Sequence, residues 1–247
     1  MTLSRSLSDA FRQVNPFIRQ ASREQLALQK LDVPLRLRGK KEDIFLMTDM
    51  INEIAEKSPL GKAILEEASK NGTIVRMTQG TSGVNGSFEA ASKTICLSRN
   101  STFDRQLTTL VHEARHAGQR ANQTAEVRLG VYSVRTNLMH MQLAEADAVA
   151  CSLGVADEMK RNGNARAWNA IVLNYRPIAD IFARKMKKDG LSDALQSAAL
   201  GWFGSSLKPM YERQMIDHLS HVFDMGMDIS RNTATCPIPI CLHGFAG

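Results

Sequence analysis

The sequence predicts an α+β fold: a small twisted sheet packed on one central helix, with a predominantly helical C-terminal half. Two observations lead there. β-Branched and apolar short runs occur between residues 73 and 98, while the pattern from Asp104 to about residue 226 has helical periodicity. The composition is 43% apolar but only 6% aromatic, which favours packed helices over a β-sandwich. A chain of 247 residues suits one large domain or two small ones.

The elements follow in order. Residues 1–41 read as a basic, flexible arm carrying nine Lys/Arg and three Asp/Glu, which equals the whole net charge of +6. The compact domain is expected over 42–226. Residues 42–57 form an amphipathic helix with Ile44, Met47, Ile51, Ile54 and Ala55 at helical spacing. Pro59 starts a second short helix that stops at the Asn71-Gly72 turn signal. Thr73–Thr78 is a strand, residues 80–87 a Gly-rich connection, and Phe88–Ser98 a second strand containing TICLS. The tail, 227–247, contains Pro237 and Pro239 and is expected to be irregular.

Several classes are excluded or disfavoured. No apolar run approaches the ~20 residues of a membrane helix. Because the positive charge is concentrated in the arm, a basic nucleic-acid face is disfavoured. Cys96, Cys151, Cys236 and Cys241 form no disulfide framework, so reduced thiols in a cytoplasm are expected. The N-terminus has no apolar segment of the Sec signal type. The GTSGVNG segment lacks a P-loop's Lys-Ser/Thr ending and precedes a strand, so it is a connection, not a phosphate cradle.

One constellation carries chemistry. In LVHEARHAGQ, His112 and His116 stand four residues apart and project from one face of a helix, so both imidazoles reach one ion. Zinc takes neutral imidazole nitrogen readily. Glu113 is turned around the helix from them, free to accept a proton from an activated water. Leu107, Leu110, Val111, Ala114, Ala117 and Gly118 form an apolar stripe opposite the two histidines. That pattern buries the aliphatic side and presents the histidines to a cleft. The plainer reading is a surface helix that happens to carry two histidines.

A catalytic zinc takes three protein ligands. No HExxHxxGxxH extension follows, because Gln119 succeeds Gly118 and no third His appears. The helix expected at 137–156 contains EADA. There Glu145 shares its face with Leu138, Met141, Val149 and Ser152, whereas Asp147 lies with His140, Leu143 and Cys151. A carboxylate in an apolar stripe needs a partner or a metal. Glu145 is therefore preferred as ligand, with Asp147 as the alternative or as a partner behind a ligand. An internal ion pair from Glu145 to Arg115 or Arg135 would also account for it.

Together, TICLS, then LVHEARHAGQ, then EADA some thirty residues on, resemble a zincin-type metallopeptidase of the gluzincin sort. Within that group the chain is similar to a little-characterised bacterial family with HExxH followed by an EADA-like helix. The resemblance covers residues 72–156. It implies a zincin-like fold, zinc on His112, His116 and Glu145, and Glu113 as general base and acid. One departure stands out: many gluzincins place the ligand Glu four residues before the Asp, where this chain has Leu143. Peptide deformylase, another HExxH protein, lacks support because Arg115 stands where it needs Asp and its Gly-Cys-Leu segment is absent.

The expected function is zinc-dependent hydrolysis of a peptide or protein substrate, with the peptide extended along an edge strand at Thr94–Ser98. A non-catalytic metal-containing binding protein is the rival reading. An exported effector with a narrow protein substrate is a third. Tyr175, His218 or His221 could stabilise an oxyanion. Cys151 and His140 are about three turns apart on one helix and cannot form a thiol dyad. Cys236, Cys241 and His243 match no common metal spacing, and Cys96 reads as a small buried hydrophobe.

Overall fold

In the computed structural model the described residues are 31–80, 84–124, 128, 131–224 and 240–243; the side chains of 218, 221–224 and 240–243 lie outside the description. The elements among them are β1 (Arg36–Arg38), α1 (Lys41–Lys57), α2 (Pro59–Lys70), β2 (Ile74–Thr78), β3 (Val84–Glu89), β4 (Thr94–Ser98), α3 (Phe103–Ala121), α4 (Val134–Arg161), α5 (Arg166–Asp189), α6 (Leu191–Phe203), α7 (Leu207–Asp224) and β5 (Ile240–His243). The architecture is α+β and mostly helical.

The sheet has the order β1-β2-β4-β3-β5. β1, β2 and β4 run parallel, while β3 is antiparallel to both β4 and β5. Alternation sends Val75, Met77, Phe88, Ile95 and Leu97 into the core. The other face carries exposed Arg76, whose Nε donates to Cys96 Sγ at 3.2 Å.

Helix starts follow local chemistry. Ser58 Oγ accepts the Gly61 N–H at 2.8 Å and Pro59 occupies the first turn of α2. Glu158 of α4 then accepts from Ser58 Oγ at 2.6 Å and from the Leu60 N–H at 2.9 Å, tying α2 to α4. Thr102 caps α3 by accepting the Arg105 N–H, and Ser133 caps α4 by accepting that of Thr136.

Several expectations need correction. The arm does not extend to Lys41: Val33 and Leu35 are buried in the core and Arg36–Arg38 pairs with β2. These residues alternate apolar with charged over too short a run to stand out from the basic segment. Residues 1–30 of the expected arm lie outside the described residues. The Gly-rich connection is partly strand, since β3 begins at Val84 and turns into β4 through residues 90–93, with Lys93 at φ +51°. The tail is not wholly irregular, because Ile240–His243 pairs with β3; Pro237 and Pro239 lie outside the described residues. Thr94–Ser98 is no edge: β4 sits between β2 and β3 with both sides paired, so no substrate strand can add there. Cys96 is half-buried on the outer face, in contact with Arg76, not a core hydrophobe. Ile44 is exposed, although Met47, Ile51 and Ile54 are buried as the α1 periodicity predicts.

α3 lies across the inner face of the sheet at β3 and β4. Gly86 makes this approach close: a Cβ there would fall 2.5 Å from Thr109 Cγ2 and 2.9 Å from the Cys96 carbonyl oxygen.

A buried His-His-Glu site

The apolar stripe of α3 packs as its periodicity predicts, with Leu107, Leu110, Val111, Ala114 and Ala117 in the core. The opposite face is not an open cleft. His112, Glu113 and His116 are exposed by only 3%, 0% and 2%. The helical half of the chain covers them: α3 is packed by α4 and α5 as well as by the sheet. One-dimensional periodicity cannot register this, because a helix enclosed on all sides still carries its polar groups on one face.

α4 brings Glu145, fully buried, to the two histidines. Glu145 Oε2 lies 3.4 Å from His112 Nε2, and Glu145 Oε1 lies 3.3 Å from His116 Nε2. The two Nε2 atoms are 2.9 Å apart, and the rings meet edge to face with centroids 4.6 Å apart. The donor atoms of His112, His116 and Glu145 all lie within 4.8 Å of one another. Both Glu145 oxygens and both Glu113 oxygens are buried without a hydrogen bond of ordinary geometry. Two imidazole nitrogens and an unsatisfied carboxylate converging in a buried space form a donor set that fits a divalent metal ion.

The electrostatics match that arrangement. Burial pushes the Glu145 carboxyl up, but the His116 charge and the closeness of both imidazoles outweigh it, and its pKa falls to about 2. Burial likewise pushes His116 down, and the Glu145 charge reverses this to about 9. His112 remains lowered, chiefly by burial. Glu113 is driven up to about 8 by burial, against the pull of His116.

Asp147 is turned elsewhere. Its Oδ2 accepts from Arg115 Nε at 2.6 Å and from Gln119 Nε2 at 2.6 Å. Arg115 also lies 3.6 Å from Glu67 of α2. The ion pair from Arg115 or Arg135 that could have explained Glu145 is therefore not what Arg115 makes.

Other sequence candidates separate clearly. α5 has a non-helical Tyr175 (φ −126°, ψ 29°), two residues before Pro177. Tyr175 is hydrogen-bonded to Tyr211 of α7, and burial raises both phenols, with the charges of Glu145 and Glu113 adding to the effect. Tyr211 belongs to no motif and carries no sequence signal. His140 stacks edge to face on Tyr132, away from Cys151, whose thiol burial pushes up to about 12. The side chains of His218, His221, Cys241 and His243 lie outside the described residues, as does all of Cys236. No helix among the described residues is long and apolar enough to cross a membrane.

No curated protein and no solved structure matches the chain. A family model described as "Putative metallopeptidase family (DUF6782)" matches residues 28–231, a span that holds β1 to β4, α3, α4 and the covering helices but not β5. With most of its length matched, the chain belongs to that metallopeptidase family.

Proposed function

We propose that the protein is a zincin-like, zinc-dependent peptidase in which His112, His116 and Glu145 hold the metal and Glu113 is the general base and acid. The observation that carries this reading is the buried trio beside a second, fully buried carboxyl, that of Glu113. Two nitrogens and one oxygen are a ligand set of catalytic zinc, with one position left for water. When bound, zinc would supply an acidified water and polarise the scissile carbonyl.

The chain's own residues would do the rest. Glu113 follows His112 directly but diverges from it by about 100° around the helix, so it stands beside the three donors without completing them. A cation on those donors would draw its raised pKa back down, leaving a carboxylate that takes a proton from water and returns it to the leaving amine. Tyr175 would offer its O–H to the developing oxyanion, with Tyr211 holding that phenol in place. Burial of the whole group excludes bulk water and strengthens each of these interactions. Asp147 orders Arg115 and Gln119 instead of serving as ligand.

A structural metal site closes four ligands, whereas among the described residues three donors converge, with the buried Glu113 carboxyl beside them, which favours catalysis over the binding-protein reading. The test is metal analysis of protein purified without chelator, followed by cleavage of a denatured protein substrate. About one zinc per chain in wild type, none in His112→Ala/His116→Ala, and turnover in wild type alone are expected. Full zinc occupancy in the double variant would overturn the proposal.

A further inference from the structure

Gln119 belongs to no motif, yet it is buried and uses its whole amide. Its Nε2 lies 3.0 Å from the Ala144 carbonyl oxygen and 2.6 Å from Asp147 Oδ2. Its Oε1 lies 2.8 Å from His116 Nδ1. The orientation of this amide follows from its partners. A backbone carbonyl and a carboxylate, itself held by Arg115, can only accept, so the NH2 end must face them. The oxygen must then face His116, and an amide oxygen can only accept. His116 Nδ1 therefore carries a proton, and Nε2 is the ring atom left to face Glu145 and His112.

We infer that Gln119 is a positioning residue that fixes the tautomer and ring orientation of His116 through a relay running Arg115–Asp147–Gln119–His116. The inference rests on the proposed metal site for its consequence, though not for its geometry. The relay joins two helices: Arg115 and Gln119 stand on α3, and Asp147 and Ala144 on α4. A third helix, α2, braces its outer end. Glu67 lies beside Arg115 and also accepts from Asn122, and Gly118 leaves the space for it, since a Cβ there would fall 2.6 Å from Glu67 Oε2. The imidazole is thus held before any metal arrives, and the cost of ordering it is met by folding.

The roles of Gln119 and Asp147 predict a specific rescue. Gln119→Ala removes the acceptor. Gln119→Glu keeps an acceptor for His116 but sets a carboxylate against Asp147. Gln119→Glu with Asp147→Asn restores complementarity at position 147, though not at the Ala144 carbonyl: the amide introduced on α4 would donate to the carboxylate introduced on α3 and still accept from Arg115.

Two measurements on the full chain test this. Zinc affinity by chelator competition should fall about 10–100-fold in Gln119→Ala, the scale of losing a group behind a histidine ligand. It should fall likewise in Gln119→Glu and recover part of the loss in the double variant. Nitrogen-15 spectra of histidine in the metal-free protein, recorded at a pH where the His116 ring is neutral, should show an exchange-protected proton on His116 Nδ1 in wild type and none in Gln119→Ala. The second readout separates this inference from the peptidase reading. If wild type binds no zinc but the protected Nδ1–H is present and depends on Gln119, the metal site fails and the relay stands. A bare His116 Nδ1 in wild type, or a double variant no better than Gln119→Glu alone, would overturn the relay.

Discussion

Replacing Glu113 by Gln should stabilise the metal-free protein while removing its activity, the opposite of what most substitutions of fully buried residues do. The carboxyl is fully buried, and burial outweighs the pull of the His116 charge and of a backbone hydrogen bond at Phe88, so that its pKa rises from 4.5 to about 8. Below pH 4.5 it is protonated in both folded and unfolded chains and imposes no pH-dependent penalty. Between pH 4.5 and 8 the unfolded chain releases the proton while the folded one retains it, so stability falls as pH rises, and the loss levels off above pH 8. At pH 7 the interval is about 2.5 units, worth about 3 kcal/mol at about 1.4 kcal/mol per unit. Gln has the same shape and no charge, so the variant escapes this loss. Its melting temperature in chelator should exceed that of wild type at pH 7 by several degrees, at about 2–4 °C per kcal/mol for a chain of this size. The difference should shrink toward zero near pH 4.5. With zinc present, the same variant should keep the metal and lose at least about 100-fold in hydrolysis of a denatured protein substrate. A variant that melts below wild type at every pH, or whose difference does not change with pH, would refute the electrostatic account. Undiminished turnover would refute the catalytic one.

The other expectations follow from neighbouring residues. Glu145→Ala should abolish stoichiometric zinc binding, whereas Asp147→Ala should only weaken it, as measured by chelator competition; the reverse order would make Asp147 the ligand. Tyr175→Phe should lower kcat by about 100-fold with zinc affinity unchanged, the scale of one lost oxyanion donor. Gly86→Ala should destabilise the fold by about 1–3 kcal/mol through overpacking against Thr109, and Thr109→Ser should recover part of that in the double variant; equal melting temperatures for Gly86→Ala and wild type would contradict the close approach of α3 to β3.

Much of the candidate site was legible in the sequence because its information is local. His112, Glu113 and His116 lie within one helical turn and a half, and the spacing of the leucines and alanines around them states which way that helix faces the core. Glu145 was reachable too, since an acid among Leu138, Met141, Val149 and Ser152 is costly without a partner, and the structure brings it to the histidines. β3 was hidden because Val84–Glu89 starts in a Gly-rich stretch, and glycine at position 86 serves a helix packed above the strand, not the strand itself.

Tertiary packing decided what no local pattern encodes. Strand order placed Thr94–Ser98 in the sheet interior, because β2 and β3 flank β4 on opposite sides although they are consecutive in the chain. Residues 33–38 joined the fold because Val33 and Leu35 are buried in the core and β2 offered Arg36–Arg38 a parallel partner almost forty residues away in sequence. Tyr211 of α7 met Tyr175 of α5, and Asp147 found Arg115 and Gln119 instead of the histidines. The two α4 carboxylates differ by only two positions, yet about 200° of helix rotation separates them, so one side chain points at the imidazoles and the other at the relay behind them. Amino-acid identity and spacing specify what a helix face can do chemically. Which groups meet that face depends on contacts between distant segments, whose energies are settled only when the whole chain packs.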